Sequence, residues 1–246
     1  MRKSLEAIGV TGWKSKLLGV LILAAVVAGV AHLLTSRHDA PAMRVLFIGN
    51  SFTYYNGGID QQLQGLDPSI ATQTECVGGY TLADHLSAGA ALEKIRRGGW
   101  SYVVLQEQSQ TPVLSPQSFA QSARAFDQAI RSVKAKTVLL MTWERPDSVQ
   151  MGVTTASLSE ACRQVGSQLN AIVAPVGEAF AASLAQRPSL ALTAPDGHPT
   201  PAGTYLAACV LYGRITRHSP VGDSFGPDNA DERDYLQRIA AETLGY

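Results

Sequence analysis

The chain predicts an α/β protein built on a mainly parallel sheet with helices on both faces. Three observations carry that prediction. Short apolar runs alternate with longer stretches whose apolar residues recur at helical spacing, throughout residues 43–246. Most of the strand runs are apolar almost end to end, as strands covered on both faces require. Small and polar residues collect directly behind the strand runs, where an open parallel sheet presents its binding edge.

The elements follow in order. RVLFIG (44–49) is a short apolar run ending in turn residues, a first strand. GIDQQLQGL (58–66) suggests a short helix, and IATQTECV (70–77) alternates apolar and polar positions as a second strand. TLADHLSAGAALEKIRRG (81–98) places Leu82, Leu86, Ala90 and Ile95 roughly on one side of a single helix. SYVVLQ (101–106) is the third strand. The long helix in SPQSFAQSARAFDQAIRSVKA (115–135) is entered through Ser115 as cap and Pro116 in the first turn. KTVLLMTW (136–143) is the fourth strand. In SLSEACRQVGSQLNA (157–171), Ser157 and Glu160 fit a capping box. IVAPVG (172–177) is a short strand, and helices follow over 178–186, 201–215 and 229–244.

The first 42 residues form a separate unit. Residues 17–34 are apolar except for His32 and follow Arg2, Lys3, Lys14 and Lys16. A stretch of about 18 residues sits at the lower edge of what spans a bilayer and exceeds the usual signal-peptide core of about 7–15. The basic flank predicts that the N-terminus stays in the cytoplasm and that everything after Ser36 is delivered outside it, which in a bacterial cell is the periplasm. The segment is expected to persist as a membrane anchor. Gly29-Val30-Ala31 and Ala40-Pro41-Ala42 are small-residue sites at which cleavage would instead release a secreted protein. Residues 35–42 read as a polar linker to a domain spanning residues 43–246.

Composition excludes some classes. Twenty basic residues balance twenty acidic ones, so no electrostatic footprint for nucleic acid exists. Cys76, Cys162 and Cys209 are odd in number and far apart, which argues against a disulfide framework. Cys209 sits in an apolar helical stretch and reads as a small core residue.

Chemistry is sought at the strand ends. Gly49, Asn50 and Ser51 follow the first strand; Gly78, Gly79 and Tyr80 the second; Gln106 to Gln110 the third; Trp143, Glu144 and Arg145 the fourth. A serine becomes a nucleophile only when a base takes its proton and donors receive the oxyanion. Asp196-Gly197-His198 offers a base, His198, and an acid, Asp196, to hold its tautomer. The blander readings are that Ser51 caps a helix, that Gly79 serves a turn and that Asp196-Gly197 is a turn dipeptide. His85 reads as a surface or half-buried helix residue. Trp143 either walls the pocket or packs beneath it, and Tyr54 and Tyr55 are candidates to shape a subsite.

The motifs GNSF after the first strand, GGYT after the second, QEQSQ after the third and Asp-Gly-His-Pro near the C-terminus resemble, in block order, the SGNH/GDSL hydrolase superfamily over about residues 44–215. FIGNSFTYYNGGID, VVLQEQSQTP and HPTPAGTYLAA look like a bacterial branch with GNS in place of GDS. The resemblance implies a flavodoxin-like three-layer α/β/α sandwich and ester hydrolysis without metal or cofactor. It implies Ser51 as nucleophile, His198 as base and Asp196 as its partner, with the N–H groups of Ser51 and Gly79 in the oxyanion hole. The chain departs from the family in two blocks. The usual Gly-x-Asn is replaced by a stretch in which Gln106, Gln108 and Gln110 compete as amide donor. Gln106 is favoured, because some carbohydrate acetylesterases of the superfamily carry a glutamine at that strand end. Asp-Gly-His is one residue shorter than the usual Asp-x-x-His. The expected activity is hydrolysis of a small acyl ester, an O-acetyl group on an envelope or extracellular glycan. An acyltransferase acting on a polymer hydroxyl and a non-catalytic envelope-anchored binding module are the alternatives.

Overall fold

The computed structural model describes residues 43–246. The expected anchor over residues 17–34 and its linker lie outside the described residues. Five strands, β1 (Met43–Gly49), β2 (Ile70–Cys76), β3 (Tyr102–Leu105), β4 (Lys136–Leu140) and β5 (Ile172–Ala174), form one sheet in the order β2-β1-β3-β4-β5. All four pairings are parallel. This is the flavodoxin-like order, and its direction reverses between β1 and β3, where such sheets open a crevice at their carboxyl edge.

Ten helices accompany the strands among the described residues: α1 (Ser51–Tyr54), α2 (Ile59–Leu66), α3 (Leu82–Ala88), α4 (Ala90–Arg96), α5 (Thr111–Leu114), α6 (Pro116–Ser132), α7 (Thr155–Leu169), α8 (Val176–Gln186), α9 (Pro201–Thr216) and α10 (Ala230–Leu244). Alternate residues of each strand feed two separate cores. Val45, Phe47, Val104, Val138 and Leu140 pack with Ile59, Leu63, Phe180, Leu206 and Ile239 on one face. Leu46, Ile48, Val103, Leu105 and Leu139 pack with Leu82, Ile95, Phe126, Leu158 and Val165 on the other. Each such side chain contributes roughly 1.5–3 kcal/mol when fully buried. The result is a three-layer sandwich. Among the described residues no helix is long and apolar enough to cross a membrane.

Several boundaries differ from expectation, each for a local reason. The single helix over 81–98 is two helices, because Gly89 adopts a left-handed φ of 80° and closes the first while its N–H donates to His85 O. The capping box of α7 is Thr154 with Ser157, one turn ahead of the expected Ser157 and Glu160. Ser115 is the cap position of α6, but its side chain makes no capping bond. Two short helices, α1 and α5, occupy stretches whose few residues give no periodicity to read. All three cysteines are free, and Cys209 is fully buried in α9.

Candidate active site

The turn after β1 is built around Asn50. Its side chain accepts the Phe52 N–H at 3.1 Å and so caps α1, while its Nδ2 donates to Tyr80 O at 2.9 Å. Ser51 is therefore not the cap. It is the first residue of α1, and its hydroxyl is left for other contacts.

One such contact is His198, whose Nε2 lies 2.9 Å from Ser51 Oγ. His198 Nδ1 lies 3.0 Å from Asp196 Oδ2, and the His198 backbone N–H donates to Asp196 Oδ1 at 3.1 Å. With the ring proton on Nδ1, His198 donates to Asp196 and its Nε2 accepts the serine O–H. Gly197, at a φ of 85°, lets three residues make this turn, so the missing residue of the block is absorbed there. The bonds from the His198 backbone N–H and then its ring hold the Asp196 carboxyl below the usual carboxylate range. The Asp196 side chain nevertheless remains 63% exposed.

The loop carrying these residues is tied down on both sides. A bridge between Thr193 and Pro199 closes it, and Asn56 Nδ2 donates to Pro199 O at 2.7 Å. Aromatic rings enclose the imidazole: Tyr55 stacks on His198 at 4.0 Å, and Phe52 meets it edge-on at 5.3 Å. Trp143 packs beneath the site. It is buried between Phe52 and Phe180, and its Nε1 donates to Gly197 O at 3.0 Å.

A pocket of about 240 Å³ opens at Ser51, lined by Asn50, Phe52, Gly79, Gln108, Ser109, Arg145 and His198. A larger cavity of about 550 Å³ lies beside Trp143 and Phe180 and includes none of these eight residues. The chemistry, not the volume, selects the smaller one. Gly79 takes a φ of 76° at the pocket wall. Neither its N–H nor that of Ser51 meets a protein acceptor among the described residues.

Gln106 is the correction. The structure does not bring it to the pocket. Its Oε1 accepts the Asn50 N–H at 2.8 Å and the Thr53 hydroxyl at 2.9 Å, and its Nε2 donates to Glu107 O at 2.6 Å. The amide is held inward against Gly49, where an added Cβ would sit 2.5 Å from Oε1. Gln108 reaches the pocket instead. Its Oε1 accepts the N–H groups of Gln110 and Thr111, which leaves the amide nitrogen free of these bonds. His85 is also placed differently from expectation: it is buried, with Nε2 2.7 Å from Gly49 O.

Sequence reading did not single out Glu107. It is 3% exposed, and its burial, only partly offset by N–H bonds from Gln108 and Leu82, raises the carboxyl from 4.5 to about 7. Between those values the native state binds a proton that the unfolded state has lost. Stability therefore falls as pH rises from about 4.5 to 7, in total by roughly 3 kcal/mol. Glu107→Gln is expected to remove that fall. Urea midpoints of the two proteins should agree near pH 4, below the window, and separate in favour of the variant at pH 8.

A parallel α/β sheet with a Ser–His–Asp chain at its carboxyl edge defines a class of serine-dependent hydrolases. No family model matches the chain, and no curated protein does. Among solved structures, it is similar to a protein from Slackia heliotrinireducens assigned as an SGNH hydrolase, at 31% identity over 71% of this chain and 99% of that one, with a TM-score of 0.63. It is similar in fold to a DUF4886 family protein from Bacteroides uniformis, at 15% identity over 83% of this chain and 95% of that one, with a TM-score of 0.67. An acetylxylan esterase from Geobacillus stearothermophilus aligns over 77% of this chain and 99% of its own, at 14% identity and a TM-score of 0.54. The chain belongs to the SGNH hydrolase family, and as a member it is a serine ester hydrolase.

Proposed function

We propose that this hydrolase removes a small acyl group, an O-acetyl substituent of an envelope or extracellular glycan, using Ser51, His198 and Asp196. The observation that carries the reading is the continuous chain from Ser51 Oγ through His198 to Asp196 at the mouth of a small pocket. Ser51 Oγ attacks the ester carbonyl carbon as His198 Nε2 takes its proton. The oxyanion is received by the N–H groups of Ser51 and Gly79 and by the Gln108 amide, which takes the role expected of Gln106. His198 returns the proton to the departing sugar oxygen. Water then attacks the acyl-serine by the reverse sequence and releases the acid.

The narrow pocket supports a short acyl group, and the fold shared with an acetylxylan esterase supports a glycan-borne one. The apolar segment 17–34 behind a basic flank supports anchoring in the membrane with the catalytic domain outside. The decisive experiment compares acetate release from acetylated xylo-oligosaccharides by the wild type and by Ser51→Ala. Equal rates would sink the assignment.

Asp196 is expected to matter less than a buried triad carboxylate. Its charge is screened by solvent, but it still holds the Nδ1 tautomer. Asp196→Asn should lower kcat by roughly 10–100-fold, short of the ~10⁴-fold found for a buried triad aspartate. Initial-rate kinetics with an acetate ester would check this, and a loss of 10⁴ would show that substrate binding buries the carboxylate.

A further inference from the structure

Glu107 is a buried carboxylate that the mechanism above does not use. Its Oε1 accepts two backbone N–H groups, Leu82 at 3.0 Å and Gln108 at 2.7 Å. Those donors belong to different loops. Leu82 opens α3 directly after the turn that carries Gly79, and Gln108 follows β3. Both loops line the pocket beside Ser51. The other oxygen, Oε2, is buried without a partner. No salt bridge includes Glu107 among the described residues; Asp84 on α3 acts on it with a like charge, and the thiol nearest in effect is Cys162 on α7.

A carboxylate with no charged partner and one oxygen unbonded is costly in such a place, and an apolar residue would stabilise the fold better. What a carboxyl group offers here is one oxygen that accepts two donors at once, Leu82 N–H and Gln108 N–H, whether or not its other oxygen carries a proton. The two donors sit on the two segments that supply oxyanion contacts, so the clamp fixes their separation. Such contacts act on the transition state, where a misplacement of about 1 Å can cost on the order of 10²-fold in rate.

We propose that Glu107 is a positioning residue for acyl transfer: its Oε1 clamps the Gly79 loop to the Gln108 loop and holds the oxyanion donors in register. The inference rests on the hydrolytic reading above. Glu107→Asp keeps the charge but is one methylene too short to reach both N–H groups. It is expected to lower kcat by about 10–100-fold with KM changed less than about threefold, rates being counted per serine labelled by a fluorophosphonate probe. Glu107→Gln keeps an acceptor oxygen in the same place and is expected to hold kcat within about threefold of wild type. Hydrogen exchange at the Leu82 and Gln108 amides should accelerate together in the Asp variant alone. If the Asp variant does not fold, Glu107→Ala is read in its place. Should neither fold, a folded Gln variant that has lost more than tenfold in kcat overturns the clamp, and one that keeps its kcat and its amide protection supports it. An Asp variant with wild-type kcat overturns it outright. A wild type that neither labels at Ser51 nor releases acetate counts against the hydrolytic reading itself, which separates the two failures.

Discussion

Replacing Ser51 with Ala is expected to lower acyl-ester turnover by at least about 10⁴-fold while leaving the fold untouched. The loss is large because no neighbouring side chain can substitute. His198 Nε2 would face a methyl group in place of the hydroxyl 2.9 Å away, and water would have to attack the ester unaided. Some rate over the uncatalysed reaction should survive, since the Ser51 and Gly79 N–H groups are backbone and remain. The fold should not respond, because the cap of α1 is the Asn50 side chain and the Ser51 hydroxyl bonds only to the His198 ring, which Asp196 and Tyr55 hold independently. His198→Ala should cost a similar factor, and the double variant little more than either single one, because the two act as a unit. Rates per correctly folded molecule, with the thermal midpoint measured alongside, test this. A Ser51→Ala enzyme within tenfold of wild type would remove the serine from the chemistry.

What could be read from the sequence follows from what local pattern encodes. Strand order along the chain and the helical stretches were legible because apolar runs of β-branched residues and 3.6-residue spacing are local properties. The proximity of Ser51 and His198 was legible for a topological reason. Residues behind parallel strands share one edge, so a serine after β1 and an Asp-Gly-His turn before α9 meet there. The choice among Gln106, Gln108 and Gln110 was not legible. It depends on Gly49 leaving room for the Gln106 amide, a contact between residues 57 positions apart that no spacing reveals. The burial of His85 is similar: an α3 residue becomes interior only because Gly49 O lies beside it. Glu107 carried no sequence signal at all, since a polar residue in a polar loop is unremarkable until its partners are known. The capping of α7 slipped by one turn because both Thr154–Ser157 and Ser157–Glu160 satisfy the same pattern, and only packing decides between them.

Trp143→Ala is expected to destabilise the domain by about 3–5 kcal/mol, the range for removing a buried Trp or Phe side chain. The indole is 1% exposed and stacks nearly parallel between Phe52 at 4.8 Å and Phe180 at 4.4 Å. Its removal leaves a hole in the core that also supports the serine turn, because Phe52 directly follows Ser51. For a domain of this size that corresponds to a fall of about 10 °C in the thermal midpoint. Trp143→Phe separates the packing from the hydrogen bond. A phenyl ring keeps most of the stack but cannot donate to Gly197 O, which the indole Nε1 reaches at 3.0 Å. The stability cost should then shrink to about 1–3 kcal/mol, that of a smaller cavity and a carbonyl without its donor. Activity should not recover in step. Gly197 is the left-handed link between Asp196 and His198, so freeing its carbonyl lets the Asp-Gly-His turn relax and the imidazole drift from Ser51. A kcat lower by about tenfold in the folded Phe variant, with KM little changed, is the expected result. If the Phe variant matches wild type in kcat, the indole N–H serves only the fold, and the register of His198 is set by Asp196, Tyr55 and the Asn56 tether without it.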